Sequence, residues 1–487
     1  MKIKYIDEPE LDFGHLSHID IKFGIMNYGV LDFDKEDAPR KIHLAIIGIN
    51  DDMEIFEEWI EKCKNPIAGK ETKKKNLFPR FPGFHKEHSF YSEIITNSNI
   101  QGKISPHVFK ELSDLPPEEK TKKAVELFIN EIEHITTKNH KIDVILCAIP
   151  KILAEQLSVN NTDELEELDE LEDTIEHDSI VAEYDFRRLL KAESLKYRKP
   201  IQIILPSTYD KSIKKKFRVG SQTEGSIQDE ATRAWNFFTA LYYKSGGVPW
   251  RLIRNSQDYQ TCYIGISFYR SLDNETLQTS VAQVFNERGE GIIIRGGVAK
   301  TSKEDRQIHL DVDEAKILLK NALTKYKQEH RTKPARLVVH KTSDYDQNEI
   351  DGFVSAIREE GIELFDLLSL TKSITRLHRN GKYPPLRGMF WELDDETKIL
   401  YTKGSVDLFQ TYPGLYIPKT LKMKLANRDQ TPKYLATEIL ALTKMNWNNT
   451  QLDNSLPITI KAAKQVSEII KYIDKNGFIE PNYAFYM

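Results

Sequence analysis

Cysteine is scarce in this chain: Cys63, Cys147 and Cys262 stand far apart in 487 residues. That spacing excludes a disulfide framework and any Cys-x-x-Cys zinc site, and all three read as core thiols. No run of about 18 apolar residues occurs, so no membrane-spanning helix is expected. The opening MKIKYIDEPELDFG has neither the apolar stretch of a secretory leader nor the Arg/Ser-rich character of a transit peptide, and a cytoplasmic protein is expected. No Gly-x-Gly-x-x-Gly follows the first strand, and Walker, Gly-x-Ser-x-Gly and kinase signatures are missing too. A dinucleotide site and those hydrolase or kinase chemistries are therefore not expected. There is no basic excess either, since the formal net charge is -5, but a phosphate groove needs local rather than total positive charge.

What the chain does have is 40% hydrophobic and 10% aromatic residues, enough apolar material for two or three domains. Its charge is segregated. An acidic block, DELEELDELEDTIEHD (163–178), holds ten carboxylates, while basic runs sit at KETKKK (70–75), KKKFR (214–218) and RRLLKAESLKYRK (187–199). Taken one at a time these are solvated faces and loops; only their convergence in space would make a groove. The continuous apolar runs KIHLAIIGI (41–49), IDVILCAIP (142–150) and IQIILP (201–206) read as buried parallel strands. Helix-period segments such as MEIFEEWIEKC (53–63) and KKAVELFINEIEHI (122–135) lie between them, which makes a Rossmann-like α/β domain. From about residue 261 the pattern opens with strands, TCYIGISFYR and TSVAQVFNERGEGIIIRG, and then alternates helix and strand through ARLVVHKT (335–342) and IELFDLLSLTKS (362–373). That is the order of an RNase H-like fold. Two helices separated by NWNNTQLDNSLP follow, and no internal repeat is found.

The run ALYYKSGGVPWRL (240–252) followed by YIGISF (263–268) resembles the join between the MID and PIWI domains of Argonaute proteins. FRVGSQTEGSI (217–227) is similar to the family's Gly-x-x-Gln turn, LLSLTKSITRLHR (367–379) to its Lys-x-x-x-Arg strand end, and LPITIKAAKQVSEI (456–469) to its terminal helix. The lead-in FGHLSHIDIKFGIMNYGVLDF looks like that of the short prokaryotic members, and no counterpart of the N and PAZ domains is found. The resemblance implies a lead-in over residues 1–40, a Rossmann-like MID domain over 41–245 and an RNase H-like PIWI domain over 246–487.

By the same resemblance, Arg187, Lys191, Gln222 and Lys244 would hold the 5′-phosphate of a guide strand. The residue chemistry suits that role, because positions i and i+4 share one helix face and can offer a guanidinium fork and an ammonium to one anion. The helix on its own reads as a wet amphipathic face, with Arg188 as the alternative to Arg187; Gln222 and Lys244 at the family spacing turn the reading towards phosphate. Gly246 and Gly247 read as a helix C-cap, and Trp250 as filler of the domain joint. The apolar tail EPNYAFYM reads as a buried latch. Resemblance to prokaryotic Argonautes implies more for it: the Met487 carboxylate, with Gln222, helping to hold a Mg²⁺ at the guide phosphate.

RNase H-like nucleases hold two metal ions with carboxylates at strand ends. At the matching positions this chain has Ser267, Thr342 and Lys464 or a neighbour, none of which replaces an anionic ligand. Asp344 falls on a loop beyond its strand, and Glu287 and Glu290 fall in the NERGEG turn. The pairs His85/His88 and His15/His18 have no nearby third ligand and read as loop residues.

The resemblance thus implies a catalytically inactive short Argonaute that binds a guide RNA and recognises single-stranded target DNA. It further implies a heterodimer with an APAZ-domain partner fused to an effector, a sirtuin-like NADase, a TIR NADase or a nuclease, acting against plasmids or phage. Arg187 and the opening HIDIKFGIMNYG point to the sirtuin-like class. The competing expectation is an active guide-directed nuclease using carboxylates such as Asp344 and Glu290.

Overall fold

The computed structural model describes residues 2–157, 184–214, 227–253, 259–272, 277–285, 291–380, 384–412, 417–474 and 477–487, with backbone alone at 2 and 277–285. The opening segment supplies three short strands, β1 (Lys2–Tyr5), β2 (Leu11–Asp12) and β3 (Ser17–His18). A parallel sheet follows, built from β4 (Lys41–Gly48), β5 (Glu93–Lys103), β6 (Val144–Ala148) and β7 (Ile201–Ile204) in the order β5-β4-β6-β7. Its apolar runs are continuous because both faces are covered. Along β4, Leu44 and Ile46 enter one core with Phe56, Trp59 and Phe238, whereas Ala45 and Ile47 enter a second with Phe128, Ile129 and Leu190. Helices α1 (Asn50–Cys63), α2 (Pro117–Thr136), α3 (Phe186–Ser194) and α4 (Glu230–Lys244) supply these covers, α1 and α4 to the first core and α2 and α3 to the second.

Helix α4 ends where its sequence says it must. Gly246 adopts φ 96, a region that disfavours side chains, and Gly247 sits so close to the Tyr242 ring that a Cβ would stand 2.2 Å from it. The chain then passes Trp250, fully buried, whose indole N–H donates to the Lys444 carbonyl at 3.1 Å, and pairs through β8 (Arg251–Leu252) with β2.

The second sheet begins with β9 (Thr261–Arg270), β10 (Leu277–Phe285) and β11 (Ile294–Val298), antiparallel to one another. A small hairpin, β12 (Lys300–Thr301) and β13 (Ile308–His309), leads into helix α5 (Val312–His330). Strand β14 (Arg336–Lys341), helix α6 (Gln347–Glu359) and strand β15 (Leu364–Ser373) follow, with β14 parallel to both β9 and β15. Strands β16 (Met389–Glu392), β17 (Thr397–Leu400) and β18 (Thr420–Asn427) extend the sheet, and helices α7 (Pro432–Leu442) and α8 (Ile458–Ile470) complete it. The strand order is β1-β16-β17-β18-β15-β14-β9-β10-β11. Its half from β15 to β11 has the expected RNase H-like order.

Within the opening segment, β1 closes the far edge of this second sheet against β16. Glu8 fastens it there, bonded to Arg387 at 2.8 Å and Lys444 at 3.1 Å. Among the described residues no helix is long and apolar enough to cross a membrane.

Candidate nucleic-acid interface

Helix α3 starts on a cap, Asp185, whose carboxylate accepts the Arg188 N–H at 2.8 Å. That start puts Arg187 and Lys191 one turn apart. Its apolar residues Phe186, Leu189 and Leu190 face the second core, so the basic residues are left on the opposite side, where Lys191 is nevertheless buried. The Lys191 ammonium donates to the carbonyl of Tyr486 at 3.1 Å. Lys244, the last residue of α4, arrives from the far side of the sheet. It donates to the Ile201 carbonyl at 3.0 Å, the Gln202 side-chain oxygen at 2.6 Å and the main-chain oxygen of Met487 at 3.0 Å.

Two lysines more than fifty positions apart thus hold consecutive residues of the tail. Burial, and then the charges of Lys244 and Arg187, press Lys191 well below the ordinary lysine range. Burial, and then the charge of Arg187, bring Lys244 down to about 7. A cluster of cations that depresses its own members in this way is a site that gains from an anion.

Gln202 was not anticipated; its only signal was one amide within the apolar run IQIILP. Gln222 lies outside the described residues, as do Glu287, Glu290 and the acidic block 163–178. The main-chain oxygens of Tyr486 and Met487 accept from the Lys191 and Lys244 ammonium groups, while Gln222, the other ligand expected for a Mg²⁺ beside Met487, is not among the described residues. The tail itself is buried as a latch, with Tyr483, Tyr486 and Met487 each at most 2% exposed.

Ser267 lies near the end of β9, and Thr342 just past β14 donates its N–H to Ile266 at 3.2 Å, which sets the two side by side in the sheet. A cavity of about 620 Å³ joins them to the first domain; its lining includes Arg187, Lys191, Ser267, Thr342 and Lys464. The cavity is strongly cationic. Arg187, Arg188, Lys191, Arg306, Lys461 and Lys464 line it, against two carboxylates, Asp185 and Glu468. Asp185 is spent on the helix cap, and Glu468 is paired with Arg188 at 2.6 Å and Lys471 at 2.7 Å. Burial works to raise the Glu468 carboxyl, yet these partners hold it below the usual glutamate value, so it stays ionised.

Asp344 points elsewhere: it accepts from Ser369 at 2.7 Å, Lys424 at 3.2 Å and Gln307 at 3.3 Å. Among the described residues, the group whose ligand atoms could share a metal ion is His309, Asp346 and Glu349. Its Glu349 is already bonded by the buried Lys341 ammonium at 2.7 Å, and Asp346 and Glu349 form the capping box of α6. His85 and His88 stack on each other at 5.0 Å, and His18 accepts the Asp20 N–H at 2.9 Å. Of the basic runs, 187–199 contributes to the cavity; Lys74 of 70–75 instead bonds Thr411 at 2.6 Å.

No protein-family model matches the chain, and no curated protein matches it at the level of sequence. Solved structures do match its fold. Clostridium butyricum Argonaute, bound to a guide DNA and a 19-mer target DNA, gives a TM-score of 0.67 at 16% identity, over 100% of this chain and 55% of that one. Drosophila Piwi gives 0.60 at 11% identity, over 99% of this chain and 56% of that one. Marinitoga piezophila Argonaute, in complex with a 5′ OH guide RNA, gives 0.54 at 13% identity, over 100% and 59%. The chain shares the α/β fold of these proteins and spans just over half their length.

Proposed function

We propose that this chain is the guide-holding MID–PIWI part of an Argonaute-type assembly. It anchors the 5′-phosphate of a guide strand, RNA by resemblance, at Arg187, Lys191 and Lys244 with Gln222. The paired guide then recognises single-stranded target DNA, base pairing carrying the sequence information while the protein holds the backbone. The observation that carries the reading is the cationic cavity that runs from Arg187 and Lys191 to Ser267 and Thr342. Argonautes of the same fold have been solved with guide and target strands, which supports the choice of ligand. The strand ends where carboxylates would hold metal ions present Ser267 and Thr342, so the reading includes no target cleavage. Signalling would then pass to an APAZ-domain partner carrying an effector, sirtuin-like by resemblance, with TIR or nuclease effectors as the other classes; that step rests on the resemblance alone.

The test is a binding titration of 5′-phosphate against 5′-hydroxyl guides at one fixed salt concentration, since backbone contacts weaken with salt. Lys191→Ala combined with Lys244→Ala removes two charge-assisted contacts, each worth about 1.5–3 kcal/mol. The double variant should bind both guides alike while keeping its circular-dichroism spectrum. A folded double variant that retained the phosphate preference would place the pocket elsewhere. In the same assay, guide-loaded protein with complementary target and Mg²⁺ or Mn²⁺ should leave the target whole.

A further inference from the structure

The strand ends at the centre of the second sheet present Ser267 and Thr342 to the cavity, and charged side chains surround them. Lys461 lies buried on the first turn of α8, its ammonium 3.5 Å from the Asn454 side-chain oxygen, while Lys464, one turn on, is exposed at the cavity rim. Close packing of this helix onto β9 sets their position, because Gly265 brings the Thr459 carbonyl to 2.1 Å from where a Cβ would be. The same lining carries Arg306, at the tip of the β12–β13 hairpin, with φ 58. An arginine held in the left-handed region stores strain, which persists only where surrounding contacts enforce it.

Those contacts are present, and they lead to the Thr342 turn. Ser343 donates to the Ile308 carbonyl at 2.7 Å, the Asp344 N–H to the Gln307 side chain at 2.6 Å, and Lys341 to the Ile308 carbonyl at 3.3 Å. His309 is held between Asp305 and Glu349, at 2.9 Å from each. The hairpin is therefore bonded to the strand end that presents Thr342, and Arg306 at its tip lines the same cavity as Thr342. Hydroxyls on the sheet and the cations Arg306, Lys461 and Lys464 in one lining suit a phosphodiester and do not suit a metal ion. The volume is within the range of ligand sites, about 300–1,000 Å³.

We infer that Ser267, Thr342, Arg306, Lys461 and Lys464 form a metal-independent cradle for a backbone phosphodiester of the target strand, with side-chain cations in place of divalent ions. This inference rests on the guide-binding reading above. The same phosphodiester chemistry could come from the guide, so the test has separate guide and target arms.

The experiment uses the full chain loaded with a 5′-phosphorylated guide and a labelled complementary strand, titrated across a salt series with EDTA or Mg²⁺. Arg306→Ala with Lys464→Ala should weaken target binding about tenfold and reduce the salt slope by about one for each cation lost. Guide binding should be unchanged, and the wild type should bind target equally in EDTA and Mg²⁺. As a second variant, Ser267→Asp with Thr342→Asp installs two carboxylates; target binding should fall in EDTA and recover in Mg²⁺. Normal guide binding with target affinity and salt slope unmoved by Arg306→Ala and Lys464→Ala overturns the cradle and leaves the guide-binding reading standing. A loss confined to the guide arm overturns the assignment to the target strand. A wild type that shows no guide-dependent target binding overturns both.

Discussion

Raising the pH should erase the preference for a 5′-phosphate while a 5′-hydroxyl guide binds almost as before. In the protein without guide, burial and then the charge of Arg187 bring Lys244 down to about 7. A phosphate dianion supplies the missing opposite charge, so in the complex the ammonium moves back towards the ordinary lysine value of about 10.4. Between those two values each binding event takes up a proton, and affinity falls by up to about tenfold, or about 1.4 kcal/mol, per pH unit. From pH 7 to 9 the loss is about 50-fold by this linkage, because at pH 7 half of the lysine is already neutral. Lys191, also depressed, acts in the same direction. Below about pH 6 the phosphate itself takes a proton, so the preference should peak between about pH 6 and 7.

Stability of the empty protein runs the other way. The folded-state value of Lys244 lies below its unfolded value, so between about 7 and 10.4 the unfolded chain binds more protons. Stability therefore rises with pH across that window, and the penalty is complete below about 7. The assay is competition between 5′-phosphate and 5′-hydroxyl guides made only of adenine and cytosine, at constant ionic strength, with melting curves of free protein alongside. An affinity ratio that stays flat or rises from pH 7 to 9 would refute the assignment of Lys244 as the phosphate reader.

Other perturbations separate structure from recognition. Deleting Tyr486 and Met487 removes two buried side chains worth about 1.5–3 kcal/mol each and frees one N–H donor on each of the Lys191 and Lys244 ammonium groups. The variant should melt earlier; a change in guide affinity equal in Mg²⁺ and EDTA marks the tail as a latch alone, and a change seen only in Mg²⁺ supports the metal role expected for Met487. Gly265→Ala drives a methyl against the Thr459 carbonyl, costing about 1–3 kcal/mol as overpacking and displacing Lys461 and Lys464, so target binding should fall with stability. Arg336→Met strands Asp366, to which Arg336 bonds at 2.6 Å in the core, and should cost about 3–5 kcal/mol in a denaturant titration; a loss below 1 kcal/mol would show that the pair is relieved elsewhere.

The α/β class was legible in the residues because it depends on local periodicity. LAII within β4 and LVV within β14 are continuous apolar runs, as a strand covered on both faces requires, and the helices between them carry one apolar stripe. Strand β5 escaped that reading: as an edge strand it leaves Asn97, Ser98 and Asn99 exposed, so its pattern is polar. The place of residues 2–5 was equally hidden, since Lys2–Tyr5 pairs with a strand nearly 390 positions away, and a four-residue segment says nothing of its partner. Helix spacing could put Arg187 and Lys191 on one face. Only the fold could bring Lys244 round the sheet to the neighbouring tail residue, add Gln202 beside it, and turn Asp344 away into bonds with Ser369 and Lys424. A side chain's type is a local property, whereas its protonation and its partners depend on what long-range packing removes from water and what it brings close, and that is where the chemistry of this cavity was decided.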